Sequence, residues 1–369
     1  MNGKREEWEA LLDVASQQFL HDHAKDDPSQ IALKYSGKTP VSASRLAEQI
    51  ALRRKAHTKL PTLAQTPFLY ERTALEQCSS EATAHYKASF IRGSRVIDLT
   101  GGLGVDTLAF ARSCNEVFYC EQDDGRAKLF SLNLRSLGVR NISVKTGDAM
   151  EILKQFADGF FDWIYVDPCR RDSGQRRVAL DRYHPDVTGC TDMLLAKARN
   201  VCIKVSPGLD PSSVAHLPGL GAFEVISSEG ECKELLLLLS KHPPTSVTIR
   251  AVLLDGCREP GNVFEGHFTT RPIRQPVSPI RACFFDPDPA ITKSGLSPQV
   301  AHACSLSFVN DRVDYLTGDV VPAGFPGRAF RVVSVFPWKR RDVADYLRRS
   351  GIDRATIARR EFPLSAEKI

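Results

Sequence analysis

Four acidic side chains, Asp98, Glu121, Asp148 and Asp167, recur along one stretch of the chain, each at or just after the end of a short apolar run. The first stands beside Gly101, Gly102 and Gly104 in Arg95-Val-Ile-Asp-Leu-Thr-Gly-Gly-Leu-Gly104. A glycine turn between a strand and a helix lets a ligand approach backbone amides without obstruction from side chains. Glu121 lies 20 residues after Gly101, where a carboxylate can accept both hydroxyls of a ribose. Asp148, in Thr146-Gly147-Asp148-Ala149, is placed to accept from the exocyclic amine of an adenine. Asp167 leads Asp167-Pro168-Cys169-Arg170. A single acid at a strand end reads as a cap on the next helix. Four in series read as the wall of a ligand site.

The elements that must position them are legible in the hydrophobic pattern. Seven short apolar runs (RVIDL, EVFYC, NISVK, FDWIYV, NVCIKV, AFEVI and ELLLLL) begin at Arg95, and most are separated by helix-length segments. Ala127, Phe130, Leu134 and Leu137 have helical spacing, with Gly138 as terminator. Strands alternating with helices argue for an α/β fold with a parallel sheet covered on both faces. The last two runs are too close for a crossover helix, so they should pair as an antiparallel hairpin at the sheet edge. Before the sheet, Trp8, Leu11, Leu12, Ala15 and Phe19 and then Ala43, Leu46, Ala47 and Ile50 recur at helical spacing. A further helix should begin at Ser79 or Ser80. After His242-Pro243-Pro244 the chain is proline-rich, and from Tyr315 it reads as strand (RVVSVF), helix (342–349), strand (RATIARRE). The expected division is a helical region at 1–78, a catalytic domain at 79–243, and two small α+β modules at 244–314 and 315–369.

Composition sets the outer limits. Of 369 residues, 49 are Lys or Arg and 44 Asp or Glu, a net charge of +5, and the 42% hydrophobic content suffices for a buried core. The surplus positive charge is local: residues 321–369 hold 11 basic and 5 acidic residues, which points to a polyanionic partner. The longest aliphatic run, 235–239, is far too short to cross a bilayer, and the amino terminus lacks the apolar segment of a signal peptide. A cytoplasmic protein with no membrane association and no obligate protein partner is expected. The ten cysteines form no C-x-x-C pair and the histidines no metal spacing, so no metal site is expected.

Two readings of the glycine loop compete. A nicotinamide dinucleotide site wants G-x-G-x-x-G, but after Gly102-x-Gly104 the third position is Thr107. The stretch otherwise resembles the acidic-x-Gly-x-Gly-x-Gly loop of class I S-adenosylmethionine-dependent methyltransferases, reading here Asp98-x-Thr100-x-Gly102-x-Gly104. Asp98-Leu-Thr-Gly-Gly-Leu-Gly-Val-Asp106 is similar to the motif of an rRNA guanine methyltransferase family. More of the chain resembles bacterial methyltransferases with carboxyl-terminal ferredoxin-like and THUMP-like domains. That resemblance rests on Glu76-Gln-Cys-Ser-Ser-Glu81 with Tyr86-Lys87, Asp167-Pro-Cys-Arg-Arg171, Lys204-Val-Ser-Pro-Gly-Leu-Asp210 and Glu231-Cys-Lys-Glu234. It continues through Asp286-Pro-Asp-Pro-Ala290 and Ala358-Arg-Arg-Glu-Phe-Pro-Leu364, and the family's tail runs on past Ile369. The resemblance implies a Rossmann-like seven-stranded sheet with its last strand antiparallel, S-adenosylmethionine as cofactor and RNA (tRNA or rRNA) as partner. It also implies that Gln77, Ser79 and Ser80 reach the methionine end of the cofactor. Gln122 and Ala149, next to Glu121 and Asp148, are counted with the cofactor residues.

For the chemistry, Asp167-Pro168 resembles the first half of the D/N-P-P-Y/F motif of exocyclic-amine methyltransferases, and these two residues are the expected catalytic pair. Cys169 replaces the second proline and Arg170 the aromatic. A thiolate at Cys169, its pKa lowered by Arg170 and Arg171, offers a rival mechanism, carbon-5 methylation of a pyrimidine. Arg170 and Arg171 otherwise meet RNA phosphates or pair with Asp172. Lys204 should line the acceptor side of the pocket. Lys339, Arg340 and Arg341 lead the basic set expected to dock structured RNA. A non-catalytic RNA-binding protein with a relic pocket and a small-molecule methyltransferase are the competing classes.

Overall fold

The computed structural model describes residues 2–39, 41–170, 183–255, 260–365 and 368, which fall into two compact units, Met1–Val263 and Phe264–Ile369. The first opens with six helices: α1 (Asn2–Leu11), α2 (Val14–Asp22), α3 (Pro28–Lys34), α4 (Ala43–Lys59), α5 (Arg72–Gln77) and α6 (Glu81–Phe90). Their boundaries follow from capping chemistry. Asp13 accepts from the Ser16 N–H, Asp27 precedes a proline at the first turn, and Ser80 accepts from the Thr83 N–H. Leu11, Leu20, Ile31, Leu46 and Ile50 form one buried cluster with Leu129 of the sheet domain. That contact fixes the helical region onto the sheet domain.

The seven expected strands are present as β1 (Gly93–Asp98), β2 (Cys114–Glu121), β3 (Ile142–Thr146), β4 (Phe161–Val166), β7 (Ala198–Val205), β8 (Leu220–Ser228) and β9 (Glu231–Ser240). Between β4 and β7 lie two-residue strands β5 (Cys169–Arg170) and β6 (Tyr183–His184). Helices α7 (Val105–Phe110), α8 (Asp124–Leu137), α9 (Ala149–Lys154) and α10 (Thr191–Lys197) lie between successive strands. Two further strands, β10 (Thr248–Leu254) and β11 (Pro260–His267), complete a nine-stranded sheet in the order β11-β10-β8-β9-β7-β4-β1-β2-β3. The β1, β2, β3, β4 and β7 ladders are parallel, so Asp98, Glu121 and the chain entering Asp167 reach the same edge.

The β8–β9 hairpin is antiparallel as expected, but it does not end the sheet. β9 inserts between β7 and β8, and β10 pairs in parallel with β8 over its whole length. The His242-Pro243-Pro244 break is a short connection, after which Ile249, Ala251, Val252 and Leu254 are buried.

The second unit has β12 (Cys283–Pro287), α11 (Pro289–Ser294), α12 (Ser297–Ala303), β13 (Ser307–Phe308), β14 (Leu316–Gly318), β15 (Gly327–Arg331) and α13 (Arg340–Arg349). Its sheet runs β13-β14-β12-β15 around Phe285, Leu306, Phe308 and Leu316. The helix expected at 342–349 is α13. The strand expected over RVVSVF contributes only its first residue to β15, and RATIARRE forms no strand. Alternating apolar residues suit a strand only where a ladder partner and a covering layer exist; Val333 is 78% and Val335 58% exposed.

The glycine turn is built against two rings. Tyr119 on β2 stacks on Phe130 of α8 with centroids 4.2 Å apart, and its hydroxyl donates to the Gly102 carbonyl at 2.7 Å. A Cβ at Gly104, whose φ is +85°, would fall 2.0 Å from the Phe130 ring. Gly104→Ala should therefore cost about 3 kcal/mol, combining a left-handed backbone with overpacking. A thermal-unfolding midpoint equal to wild type would contradict this packing.

Candidate active site

A cavity of about 580 Å³ opens at the carboxyl edge of the parallel strands. Its wall includes Gln77, Ser79, Thr100, Gly101, Gly102, Gly104, Glu121, Gln122, Asp148, Ala149, Asp167, Cys169 and Lys204, so most of the site expected from sequence converges. Asp98, Ser80 and Pro168 do not line it. Asp98 is 1% exposed and spends both oxygens on its own loop, accepting from the Thr100 N–H at 3.0 Å and the Thr107 hydroxyl at 2.6 Å. Ser80 is occupied as the α6 cap. Pro168 is buried behind the wall. Arg170 contributes main chain to β5, Arg171 lies outside the described residues, and Lys339, Arg340 and Arg341 are exposed on the second unit.

The acids that do line the cavity are held differently. Glu121 accepts from Gly102 N–H at 3.0 Å and Asp123 N–H at 2.8 Å, and Arg126 stands 3.2 Å away. One carboxylate thus ties the glycine loop to the end of β2. Asp148 caps α9 through Oδ1, accepting from Met150 and Glu151 N–H. The Asp167 N–H donates to Thr100 Oγ1 at 2.6 Å, and its Oδ2 accepts from Lys204 Nζ at 2.5 Å. Burial pushes the Asp167 pKa above the usual range against the pull of Lys204. At Lys204 burial acts downward, but Asp167, Glu234 and Asp106 outweigh it and raise the ammonium's pKa.

Beneath the cavity, and reaching its wall at Asp106, lies a set of charges whose mutual contact no local pattern in the sequence signals. Lys87, with no exposed surface, donates to Ser79 Oγ and Glu234 Oε2, both at 2.8 Å, and pairs with Asp106 at 3.0 Å. Asp106 also accepts from Ser79 at 2.7 Å and Tyr165 at 3.0 Å. Lys87, Glu234 and Asp106 all fell inside stretches that carried the family resemblance, which was the only sequence signal for them.

A carboxyl-terminal segment, 327–369, matches the family described as THUMP domain-like, and 79–180 matches the family named Conserved hypothetical protein 95. Two uncharacterized S-adenosylmethionine-dependent methyltransferases of Mycobacterium tuberculosis are 26% identical over 306 residues, covering 82% of this chain and 81% of theirs. A crystal structure from Porphyromonas gingivalis W83, described as that of a methyltransferase, superposes with a TM-score of 0.80 at 29% identity, covering 98% of this chain and 90% of that one. The ubiquinone/menaquinone biosynthesis C-methyltransferase of Enterobacter is 27% identical over 169 residues, 44% of this chain and 66% of its own.

Sheet order, glycine loop and relatives together make the chain a class I S-adenosylmethionine-dependent methyltransferase. Within that class it is one that carries a THUMP-like domain at its carboxyl end. The loop suits the cofactor: Gly102, at a φ of +54°, meets only the Thr100 carbonyl at 3.7 Å where a Cβ would stand, so its open side is free for a close backbone approach. No helix among the described residues is long and apolar enough to cross a membrane.

Burial pushes Asp98 up to about 7, with the Thr107 hydroxyl pulling it down and Asp106 pushing it up. Its folded value lies above its usual 3.8, so the folded state holds a proton that the unfolded chain has released. The stability this contributes is complete below 3.8 and is lost as pH rises toward 7. Asp98→Asn should remove that decline, by at most about 4 kcal/mol. Thermal unfolding of both proteins from pH 4 to pH 8 checks it; parallel curves would contradict the assignment.

Proposed function

We propose that the chain methylates a base exocyclic amine in structured RNA, either rRNA or tRNA. The observation that carries this reading is the placement of Asp167. It stands on the cavity wall beside the glycine loop with Oδ2 held by Lys204, and Oδ1 makes no hydrogen bond among the described residues. That oxygen is suited to accept a hydrogen bond from the N–H groups of an amine, whereas Pro168, buried away from the cavity, shapes the chain that presents it. Accepting those protons frees the lone pair from conjugation with the ring and offsets the positive charge of the transition state.

S-adenosylmethionine, when bound, would supply a sulfonium methyl whose carbon an amine attacks in line, the C–S bond breaking as the N–C bond forms and the sulfur leaving as a thioether. The rest is positioning. Glu121 and Asp148 offer carboxylates to a ribose and an adenine, while Gln77 and Ser79 stand on the part of the wall contributed by the chain before β1. Asp98 and Ser80 act indirectly, by fixing the loop and the start of α6. The RNA half of the reading is supported by the THUMP-like match and by Lys339, Arg340 and Arg341, exposed at the start of α13, with Arg348 and Arg349 at its end. In this reading the second unit, Phe264–Ile369, contributes to RNA binding, while the strand at 248–254 belongs to the sheet that carries the cavity. Carbon-5 pyrimidine methylation is the second reading, favoured by the exposed Cys169 thiol on the same wall.

RNA from cells lacking the protein, digested to nucleosides and compared by mass spectrometry with RNA from cells that have it, should miss one N-methylated base. An unchanged nucleoside profile would refute the RNA reading. In the purified protein, Asp167→Asn should cut methylation by about 100-fold or more while calorimetry still detects S-adenosylmethionine binding. Retention of full rate would remove Asp167 from the chemistry. Cys169→Ala should keep most of the activity; near-complete loss, with a 5-methylpyrimidine as product, would favour the second reading.

A further inference from the structure

A second cleft lies in the helical region, about 540 Å³ in volume and sharing no lining residue with the methyl-transfer cavity; its floor is largely apolar and its polar groups are mostly basic. Leu20 and Ile50 contribute apolar surface, and His21, Lys25, Arg53, Arg54 and His57 supply the nitrogen-bearing groups. No aspartate or glutamate is among its described lining residues. Such a wall presents positive charge with nothing of opposite sign built in.

The arginines are fixed in place. Arg53 Nη2 donates to Gln17 Oε1 at 2.7 Å, and the same amide donates from Nε2 to the Leu11 carbonyl at 2.7 Å. Arg54 Nε donates to the Ala24 carbonyl at 2.6 Å and its Nη2 to the Asp26 carbonyl, so its contacts are with main-chain oxygens that carry no net charge. Arg53 Nε is buried with no hydrogen-bond partner, and a buried donor without an acceptor calls for an explanation. Burial lowers the Arg53 pKa, partly offset by Tyr70, the direction expected of a cation without an anionic neighbour. Two guanidinium groups on one wall with an ammonium and two imidazoles, and no lining carboxylate among the described residues, match an oxyanion better than a neutral ligand.

We propose that this cleft is a phosphate-binding site, and that it takes a backbone phosphate of the RNA substrate at a point apart from the methyl-transfer cavity. The source of the phosphate rests on the RNA reading above; the anion preference rests on the cleft itself. Binding here adds an anchor that carries no sequence information, the usual role of phosphate contacts.

The test uses the full chain with bulk tRNA and with ribosomal RNA fragments, followed by fluorescence anisotropy over a range of salt. Lys25→Gln with His57→Gln changes two exposed side chains, leaving the Arg53 and Arg54 bonds intact. The double variant should bind RNA about ten-fold more weakly at low salt, with the salt slope shallower by about 1 to 2. S-adenosylmethionine binding by calorimetry should be unchanged. If wild type binds RNA and the variant matches it in affinity and slope, the cleft makes no RNA contact and this inference fails while the RNA reading stands. If wild type binds neither RNA, both fail. A third arm titrates inorganic phosphate against thermal stability. Stabilisation of wild type but not the variant, with RNA affinity unaffected, assigns the cleft to a free phosphorylated small molecule and overturns the RNA source.

Discussion

The buried ammonium of Lys87 is the constraint from which the rest of the site follows. Removing a charge from water costs several kcal/mol even after relaxation, so Lys87 can have zero exposure only if its partners are complete. They are: Glu234 and Ser79 accept from it, and Asp106 stands at 3.0 Å. Burial acts to raise Glu234, but Lys87 and Lys204 outweigh it and hold the carboxyl well below the usual range. Lys87 and Glu234 are therefore an ion pair, and with Asp106 they join α6, the start of α7 and β9. The glycine loop is pinned at one end by the Asp98 bonds to Thr100 and Thr107, and at the other by Asp106 on Lys87, Ser79 and Tyr165. A loop made of glycines for access is given its shape by the acids flanking it.

This separates carboxylates that look alike in the sequence. Asp98 and Asp167 both follow a parallel strand, and burial raises both. They differ in where their oxygens are spent. Asp98 uses both within its own loop, whereas Asp167, on the cavity wall, spends Oδ2 on Lys204 and makes no hydrogen bond through Oδ1 among the described residues. Glu121 and Asp148 fall between, each holding main-chain N–H groups while standing on the wall. Capping and ligand binding are thus not exclusive readings of a strand-end acid; two oxygens allow both.

The parallel core was legible because buried strands are short, apolar and evenly interrupted, and the sequence from Arg95 satisfies that pattern seven times. β10 was hidden because a histidine-proline-proline break reads as an ending, although a turn of that composition equally starts a crossover. In the second unit the error ran the other way: RVVSVF and RATIARRE alternate well, yet alternation does not provide a hydrogen-bonding neighbour. Most of the residues expected on the wall follow the ends of parallel strands, a local property, and they line one cavity, whereas Gln77 and Ser79 come from the helical segment before β1. The charges underneath were not legible, because Lys87 and Glu234 are 147 residues apart and nothing local marks their meeting.

Lys204 shows why such a network suits this class of chemistry. A pocket that admits a sulfonium methyl donor must not present it with a free aliphatic amine, a stronger nucleophile than the amine of a nucleobase. Yet Lys204 is on the wall, and Lys87 lies just below it, sharing Ser79 as partner. Burial alone would favour the neutral form of both lysines. Asp167, Glu234 and Asp106 reverse that preference at Lys204, and Asp106 and Glu234 reverse it at Lys87, raising the pKa of both. An ammonium has no lone pair to be methylated. The same carboxylates that place Lys204 against Asp167 also keep it from competing with the acceptor, so the buried acids serve geometry and selectivity at once.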